Sequence, residues 1–160
     1  MVALTADPGE GSSASDGPAP ASIWAFDVDG CLVDSMSGSS LRPFATEVLS
    51  ALASSGATVV LWSAGGRDHA TTMALRHGLD HLLHGIYDKT GRDADGRLTT
   101  WHLPTGHRPT VVVDDRPEEA PAGTRVVPVA PYIAPDEGDR GLAALLAELL
   151  APADRSASVG

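Results

Sequence analysis

A short apolar run that ends in two closely spaced carboxylates constrains this chain more than any other feature. The run is Ile23–Phe26, and Asp27, Asp29 and Gly30 follow it. Side chains alternate along an extended strand, so residues two apart point the same way. Two carboxylates held together at a strand end repel each other unless a cation or a shared proton intervenes. An oxygen-binding divalent ion such as Mg²⁺ relieves that repulsion, which indicates phosphate chemistry.

Two further apolar runs end in polar side chains that suit the same chemistry. Val59–Ser63 ends in a hydroxyl, and Thr110–Asp115 ends in a second acidic pair. Lys89 follows a third run, Leu82–Tyr87, which we interpret as a strand or a loop edge. In an open parallel sheet the carboxyl ends of the strands share one edge, and ligands bind there. The sequence therefore predicts that these side chains converge, although an Asp-x-Asp-Gly stretch alone also fits a calcium loop or a plain turn.

The segments between these runs have helical periodicity, and Gly56 and Gly78 are suitable residues to end two of the helices. Strands that alternate with helices predict an α/β fold: a doubly wound, Rossmann-like three-layer α/β/α sandwich with a mainly parallel sheet. The predicted helices are 41–52, Arg67–His77 and Asp139–Leu150, and Arg125–Val129 is predicted as a strand.

Length and composition predict one domain, residues 21–150, between disordered tails at 1–20 and 151–160. The 21 acidic and 11 basic residues give a net charge of −10, which argues against broad nucleic-acid binding. The single cysteine, Cys31, excludes an internal disulfide and fits a reducing compartment. The chain has no secretory signal and no apolar run near the ~20 residues of a membrane helix, so we predict a cytoplasmic protein without membrane contact.

The order acidic pair, serine, lysine, acidic pair resembles the haloacid dehalogenase-like hydrolase superfamily, most of whose members are Mg²⁺-dependent phosphatases. The resemblance implies a phosphatase that hydrolyses phosphate monoesters through an aspartyl-phosphate, with Mg²⁺ as its cofactor. Many members of the superfamily insert a cap domain, but the intervals between the motifs are too short for one here, so we expect a capless protein with an open site. The alternatives are a non-catalytic protein of this fold that binds phosphate or metal, and a receiver-like signalling module, whose motif order is different. The residues that carry the resemblance are Asp27, Asp29, Ser63, Lys89, Asp114 and Asp115.

The resemblance also implies a role for each of these residues. Asp27 would attack phosphorus, and Asp29 would protonate the leaving oxygen and then deprotonate the attacking water. Lys89 would offset the charge of Asp27 and of the phosphoryl oxygens, with Arg92 as the alternative cation. The implied Mg²⁺ ligands are Asp27, the main-chain carbonyl of Asp29, Asp115, and Asp114 beside it.

Five residues are expected to bind the substrate or shape its site. Ser63 would donate a hydrogen bond to phosphate, although it equally suits a helix N-cap. The N–H groups of Ala64 and Gly65 open a helix, which suits an anion, and Gly30 permits a tight turn. Arg67 would grip a second anionic group. A local likeness to the phosphatase half of polynucleotide kinase-phosphatases makes a phosphorylated nucleic-acid end the one nucleic acid expected, among small or macromolecular phosphorylated substrates.

Other residues that could carry chemistry are interpreted as structural. His77, His81 and His84 are close in sequence, but Gly78 interrupts any helix they could share, so scattered histidines are favoured over a zinc site. Cys31 follows the Asp-x-Asp-Gly turn and is interpreted as structural rather than reactive. Residues 92–109 fit a small hairpin or an ordered loop near the mouth of the site. An open site also leaves room for an oligomer that covers a small substrate.

Overall fold

A computed structural model describes residues 22–92, 94–96, 98–100 and 109–152. The strands are β1 (Ile23–Phe26), β2 (Thr58–Ser63), β3 (Gly85–Asp88), β4 (Thr90–Arg92), β5 (Leu98–Thr100), β6 (Val111–Asp114) and β7 (Arg125–Pro128), and the helices are α1 (Ala45–Ser54), α2 (Arg67–Arg76) and α3 (Ala143–Leu150). Five parallel strands form one sheet in the order β3-β2-β1-β6-β7, and β4 and β5 form a separate antiparallel pair. The predicted tail at 1–20 lies outside the described residues, as does the predicted tail at 151–160 except for its first two residues.

The β1 strand occupies the centre of the sheet because it pairs with strands from both halves of the chain. Ala25 lies opposite Val60 of β2 on one side and Val112 of β6 on the other, all in parallel register. These three side chains are almost completely buried, as expected for parallel strands covered on both faces. The centre of the sheet is therefore set by its most apolar segments.

Alternation along the strands separates two apolar clusters, one on each face of the sheet. Trp24 and Phe26 point into the larger cluster, which includes the apolar residues of α1, α2 and α3. Ala25 and Trp62 point into the smaller cluster, to which Ala120 contributes after a short 3-10 helix at Pro117–Glu119. This sheet, flanked by helices, confirms the predicted Rossmann-like α/β sandwich.

Two helices begin four residues later than predicted, and the C-terminal ends of α1 and α2 differ from the predicted ends by two residues and one residue. Leu41 and Phe44 pack against the core as predicted, but α1 begins only at Ala45, since Phe44 has a left-handed backbone with a φ of 70°. The predicted helix start at Asp139 is also wrong, because α3 begins at Ala143. The Asp139 carboxylate accepts the Gly141 N–H at 2.9 Å and so holds a turn in place of a first helical turn.

The predicted hairpin near the mouth of the site is present in part. β4 and β5 pair in antiparallel register between Thr90 and Thr100, whereas residues 101–108 lie outside the described part of the chain. Among the described residues, no helix is long and apolar enough to cross a membrane.

A buried ion pair joins the loop after β1 to the segment that precedes α3. The Arg42 guanidinium donates to both carboxylate oxygens of Asp139, at 2.6 and 3.0 Å. It also donates to the carbonyl oxygens of Cys31, at 3.3 Å, and Ala130, at 2.8 Å. The Arg42 side chain is fully buried and that of Asp139 is 18% exposed. Hydrogen bonds from Arg42 hold the pKa of Asp139 below its usual value. This contact fixes two of the loops that frame the carboxyl edge of the sheet.

Candidate metal and phosphate site

Three carboxylates meet at the carboxyl ends of β1 and β6. Asp27, Asp114 and Asp115 each offer an oxygen atom, and the three oxygens lie within 4.8 Å of one another. β1 and β6 are neighbours in the sheet, with Phe26 opposite Val113, so the residues that follow them are brought side by side. The two acidic runs of the sequence therefore form one cluster.

A buried lysine joins this cluster. The Lys89 ammonium donates to Asp27 Oδ1 at 2.6 Å and to Asp114 Oδ2 at 2.7 Å, and the lysine side chain is only 3% exposed. Its backbone N–H bonds to the Ser63 carbonyl oxygen at 2.9 Å, which fixes the chain where β3 ends. Burial lowers the pKa of Lys89, but the attraction of Asp27 and Asp114 outweighs it, so the net shift is upward. Lys89 is thus not a solvated loop residue. The side chain of Arg92, which was predicted as the alternative cation, lies outside the part of the chain that the structure describes.

The cluster holds more negative than positive charge. Burial raises the pKa of Asp27 to about 7, with the neighbouring Asp114 adding to the rise and Lys89 opposing it. Burial and the Asp114 carboxylate also raise the pKa of Asp115. One lysine therefore does not compensate three carboxylates, and the remaining negative charge would stabilise a bound cation.

The raised pKa of buried Asp27 predicts that the metal-free protein becomes less stable as the pH rises. Asp27 retains its proton in the folded state up to about pH 7, whereas the unfolded chain loses it near the ordinary value of 3.8. The folded state then binds more protons between these values, so the contribution of Asp27 to stability falls as the pH rises from about 4 to 7. We expect chelator-treated wild type to lose stability over this range more steeply than Asp27→Asn, measured by urea unfolding. Parallel pH profiles of the two proteins would contradict this.

Gly30 is required at its position for two reasons. Its φ of 79° lies in the left-handed region, and a Cβ built on it would lie 2.6 Å from Asp115 Oδ2. Any side chain here would displace a carboxylate of the cluster. Gly30 thus supports the acidic cluster by leaving space for Asp115.

The second carboxylate of the Asp-x-Asp motif has a different partner. Asp29 places both carboxylate oxygens 2.9 Å from His69 Nε2, and each of these side chains is more than a third exposed. A Cβ on Gly65 would lie 2.9 Å from the His69 ring, so the glycine opens the space in which the histidine reaches Asp29. Sequence reasoning missed His69; its position in the first turn of α2, after the glycine turn, was the available signal.

The residues expected to bind phosphate lie at the start of α2. Ser63 is buried, and its Oγ accepts a hydrogen bond from the Gly65 N–H at 3.1 Å. Arg67 is exposed and lines a shallow depression together with Ser63 and Gly65. Ala64 and Lys89 line both this depression and the cleft above the acidic cluster. Arg67 is therefore beside the cleft rather than in it.

The cleft itself has a volume of about 520 Å³ and opens directly above the carboxylates. Its floor is formed by the acidic cluster and Lys89, and its rim comes from the loops after β1, β6 and β7. On the rim, Arg116 Nη1 lies 3.7 Å from Glu119 Oε1. The lining residues are Asp27, Asp29, Ser35, Ala64, Lys89, Asp114, Asp115, Arg116, Glu119, Pro131 and Ile133.

Other candidate residues are in structural positions. His77 Nε2 lies 2.8 Å from the Gly38 carbonyl oxygen, and His84 Nδ1 accepts the Val59 N–H at 3.0 Å. Cys31 is fully buried, and burial raises the pKa of its thiol well above its usual value, which disfavours the reactive thiolate. Within the described ranges, the group formed by Asp27, Asp114 and Asp115 is the one set of side chains spaced for a metal.

The donor set of this cluster fits a hard divalent cation. Carboxylate oxygens are the ligands that Mg²⁺ prefers, and Mg²⁺ usually takes few protein ligands and keeps several waters. Neither a family model nor a curated protein sequence matches the chain.

Proposed function

We propose that this protein is a Mg²⁺-dependent phosphatase that hydrolyses phosphate monoesters through an aspartyl-phosphate on Asp27. The observation that carries the proposal is the contact of Asp27 with buried Lys89 beside two further carboxylates, at the floor of an open cleft. A nucleophile, a fixed cation and a set of metal ligands are thereby within reach of one phosphoryl group. The resemblance of the motifs to haloacid dehalogenase-like hydrolases supports the same assignment.

In the first step, a carboxylate oxygen of Asp27 attacks phosphorus and the bond to the leaving oxygen breaks. The Asp29 carboxyl group transfers its proton to that oxygen, which departs as an alcohol. Lys89 keeps Asp27 oriented and offsets the negative charge that builds up on the phosphoryl oxygens. Ser63 and the N–H groups at the start of α2 are the nearest candidates to bind those oxygens.

In the second step, water attacks the phosphorus of the aspartyl-phosphate. The Asp29 carboxylate accepts a proton from this water, the bond from phosphorus to Asp27 breaks, and inorganic phosphate leaves. Asp27 and Asp115 would hold Mg²⁺ beside Asp114, and the ion would supply positive charge to neutralise the phosphoryl group. His69 is placed to orient Asp29 in both steps.

The direct test is a panel of phosphomonoesters assayed for phosphate release with Mg²⁺ and with a chelator. We expect turnover of at least one ester that requires the metal and is restored when Mg²⁺ is returned. Turnover that is insensitive to chelation would contradict the role of the metal, and no release from any ester would remove the proposed activity.

Metal binding gives an independent prediction. Because the three carboxylates repel one another, Mg²⁺ should raise the thermal midpoint of the wild type, with an increase that grows with ion concentration. Asp115→Asn removes a proposed ligand and part of the repulsion, so this variant should start from a higher metal-free midpoint and gain less. Glu118→Gln, which neutralises an exposed acid nearby, is the matched control. An equal gain in all three proteins would place the ion elsewhere.

The second candidate function is a protein that binds metal or phosphate without turnover. The acidic cluster by itself favours this second candidate, since three close carboxylates can bind a metal ion whether or not the protein catalyses a reaction. Mg²⁺-induced stabilisation without release of phosphate from any ester would support this candidate over the phosphatase.

A further inference from the structure

One wall of the cleft is apolar and is held in place by a buried tyrosine. We call the pair Pro131 and Ile133 the apolar wall; both residues line the cleft, and Ile133 is 57% exposed. Tyr132, between them, is buried and donates its backbone N–H to the Gly30 carbonyl oxygen at 2.8 Å. The wall is thus joined directly to the Asp-x-Asp-Gly turn that carries Asp27.

The tyrosine is fixed at its side chain as well as at its backbone. Its hydroxyl lies 2.9 Å from Ser40 Oγ and accepts the Asp136 N–H at 3.1 Å. The Arg42 guanidinium lies 5.4 Å from the centre of the tyrosine ring. Ser40 and Arg42 belong to the loop after β1, and Asp136 belongs to the segment after β7, so two segments constrain the backbone that presents the wall. A constrained wall can contact a ligand with little loss of conformational entropy.

A neighbouring segment adds further exposed apolar surface. Ser35 and Met36 donate their backbone N–H groups to the carbonyl oxygens of Tyr132 and Ile133, at 3.0 and 3.1 Å. Met36 is 74% exposed. Of the four large apolar side chains that are exposed in the described residues, two therefore lie on these hydrogen-bonded segments at the rim, and the others are Leu75 and Leu150.

We propose that the cleft selects small phosphate monoesters whose alcohol carries an apolar group next to the phosphate, and that this group lies against the apolar wall. The inference rests on the proposed function, because it assumes that the phosphoryl group lies at Asp27. From there the alcohol must leave through the rim, along which Pro131 and Ile133 are placed. A cleft of about 520 Å³ is in the size range of sites that bind small molecules.

The test measures binding with non-hydrolysable ligands, so it does not depend on turnover. We would titrate benzylphosphonate and methylphosphonate into the wild type in the presence of Mg²⁺ and compare their dissociation constants by calorimetry. An apolar contact of this size gives a preference on the order of tenfold for the benzyl compound. Ile133→Ser should reduce that preference to near unity. Leu75→Ser, which changes an equally exposed apolar residue on α2, should retain it.

The outcomes separate the two proposals. Benzyl preference that Ile133→Ser removes supports the apolar wall even if no phosphoester is hydrolysed, in which case the phosphatase assignment alone fails. Equal affinity for both phosphonates, no binding of either, or a preference that Ile133→Ser leaves unchanged would overturn the proposal that the apolar wall contacts the ligand. A dimer in sedimentation experiments that Ile133→Ser dissociates and Leu75→Ser does not would also overturn it, since a second copy would then cover this surface.

Discussion

Asp27→Asn is expected to lower kcat for phosphate ester hydrolysis on the order of a thousandfold or more, because the amide cannot act as the attacking group. The substitution preserves the shape of the side chain and removes one of three repelling carboxylates. Lys89 retains its contact with Asp114 at 2.7 Å. The variant should therefore fold at least as stably as the wild type without metal, so the loss would reflect chemistry.

Two measurements make this result specific. Glu47→Gln removes an exposed carboxylate in the first turn of α1, which belongs neither to the acidic cluster nor to the lining of the cleft, and should leave kcat within the error of the wild type. Rapid acid quench of the wild type with phosphate-labelled ester should trap label that hydroxylamine releases, as expected of an acyl phosphate, and Asp27→Asn should trap none. Comparable turnover by Asp27→Asn would remove Asp27 as the nucleophile.

Arg42→Met should lower the free energy of unfolding by about 3 kcal/mol or more, because it leaves Asp139 and the carbonyl groups of Cys31 and Ala130 without their partner. The arginine side chain is fully buried and holds both the loop after β1 and the segment before α3. We expect a large decrease in the urea midpoint, with part of the loss recovered in the double variant Arg42→Met/Asp139→Asn.

The chain provides a matched exposed ion pair as a control. Arg125 contacts Glu148 at 2.7 Å, but both side chains are more than half exposed. Arg125→Met should therefore cost only about 0–1 kcal/mol. If the Arg42 and Arg125 variants lost the same stability, burial of the first pair would not be the determining factor.

The convergence of the site could be predicted because it depends on topology. Asp27, Asp114 and Lys89 each come at or just after the end of a strand, and parallel strands place such residues at one edge of the sheet. That reasoning requires only the hydrophobic pattern and the order of the strands. The same pattern located β1, β2, β6, β7 and α2 to within one residue, whereas β3 begins three residues after the start of the predicted run.

The contacts made by loops could not be predicted in this way. The contact of Asp29 with His69 depends on the space above Gly65, and the pairing of Arg42 with Asp139 joins two segments without any periodic pattern. The predicted start of α1 was wrong because the helical spacing of apolar residues indicates only which side chains are buried. It does not report that the backbone at Phe44 is left-handed.

The central position of β1 affects how the chain can fold during its synthesis. Trp24 pairs with Val59 on one side and with Val111 on the other, so one edge of β1 remains open until β6, about 85 residues after β1, has left the ribosome. Open strand edges with apolar side chains on both faces associate readily with other chains. Pairing with β6 closes that edge and brings Asp114 and Asp115 to Asp27, so a chain that ends before β6 lacks both a protected sheet edge and the acidic cluster.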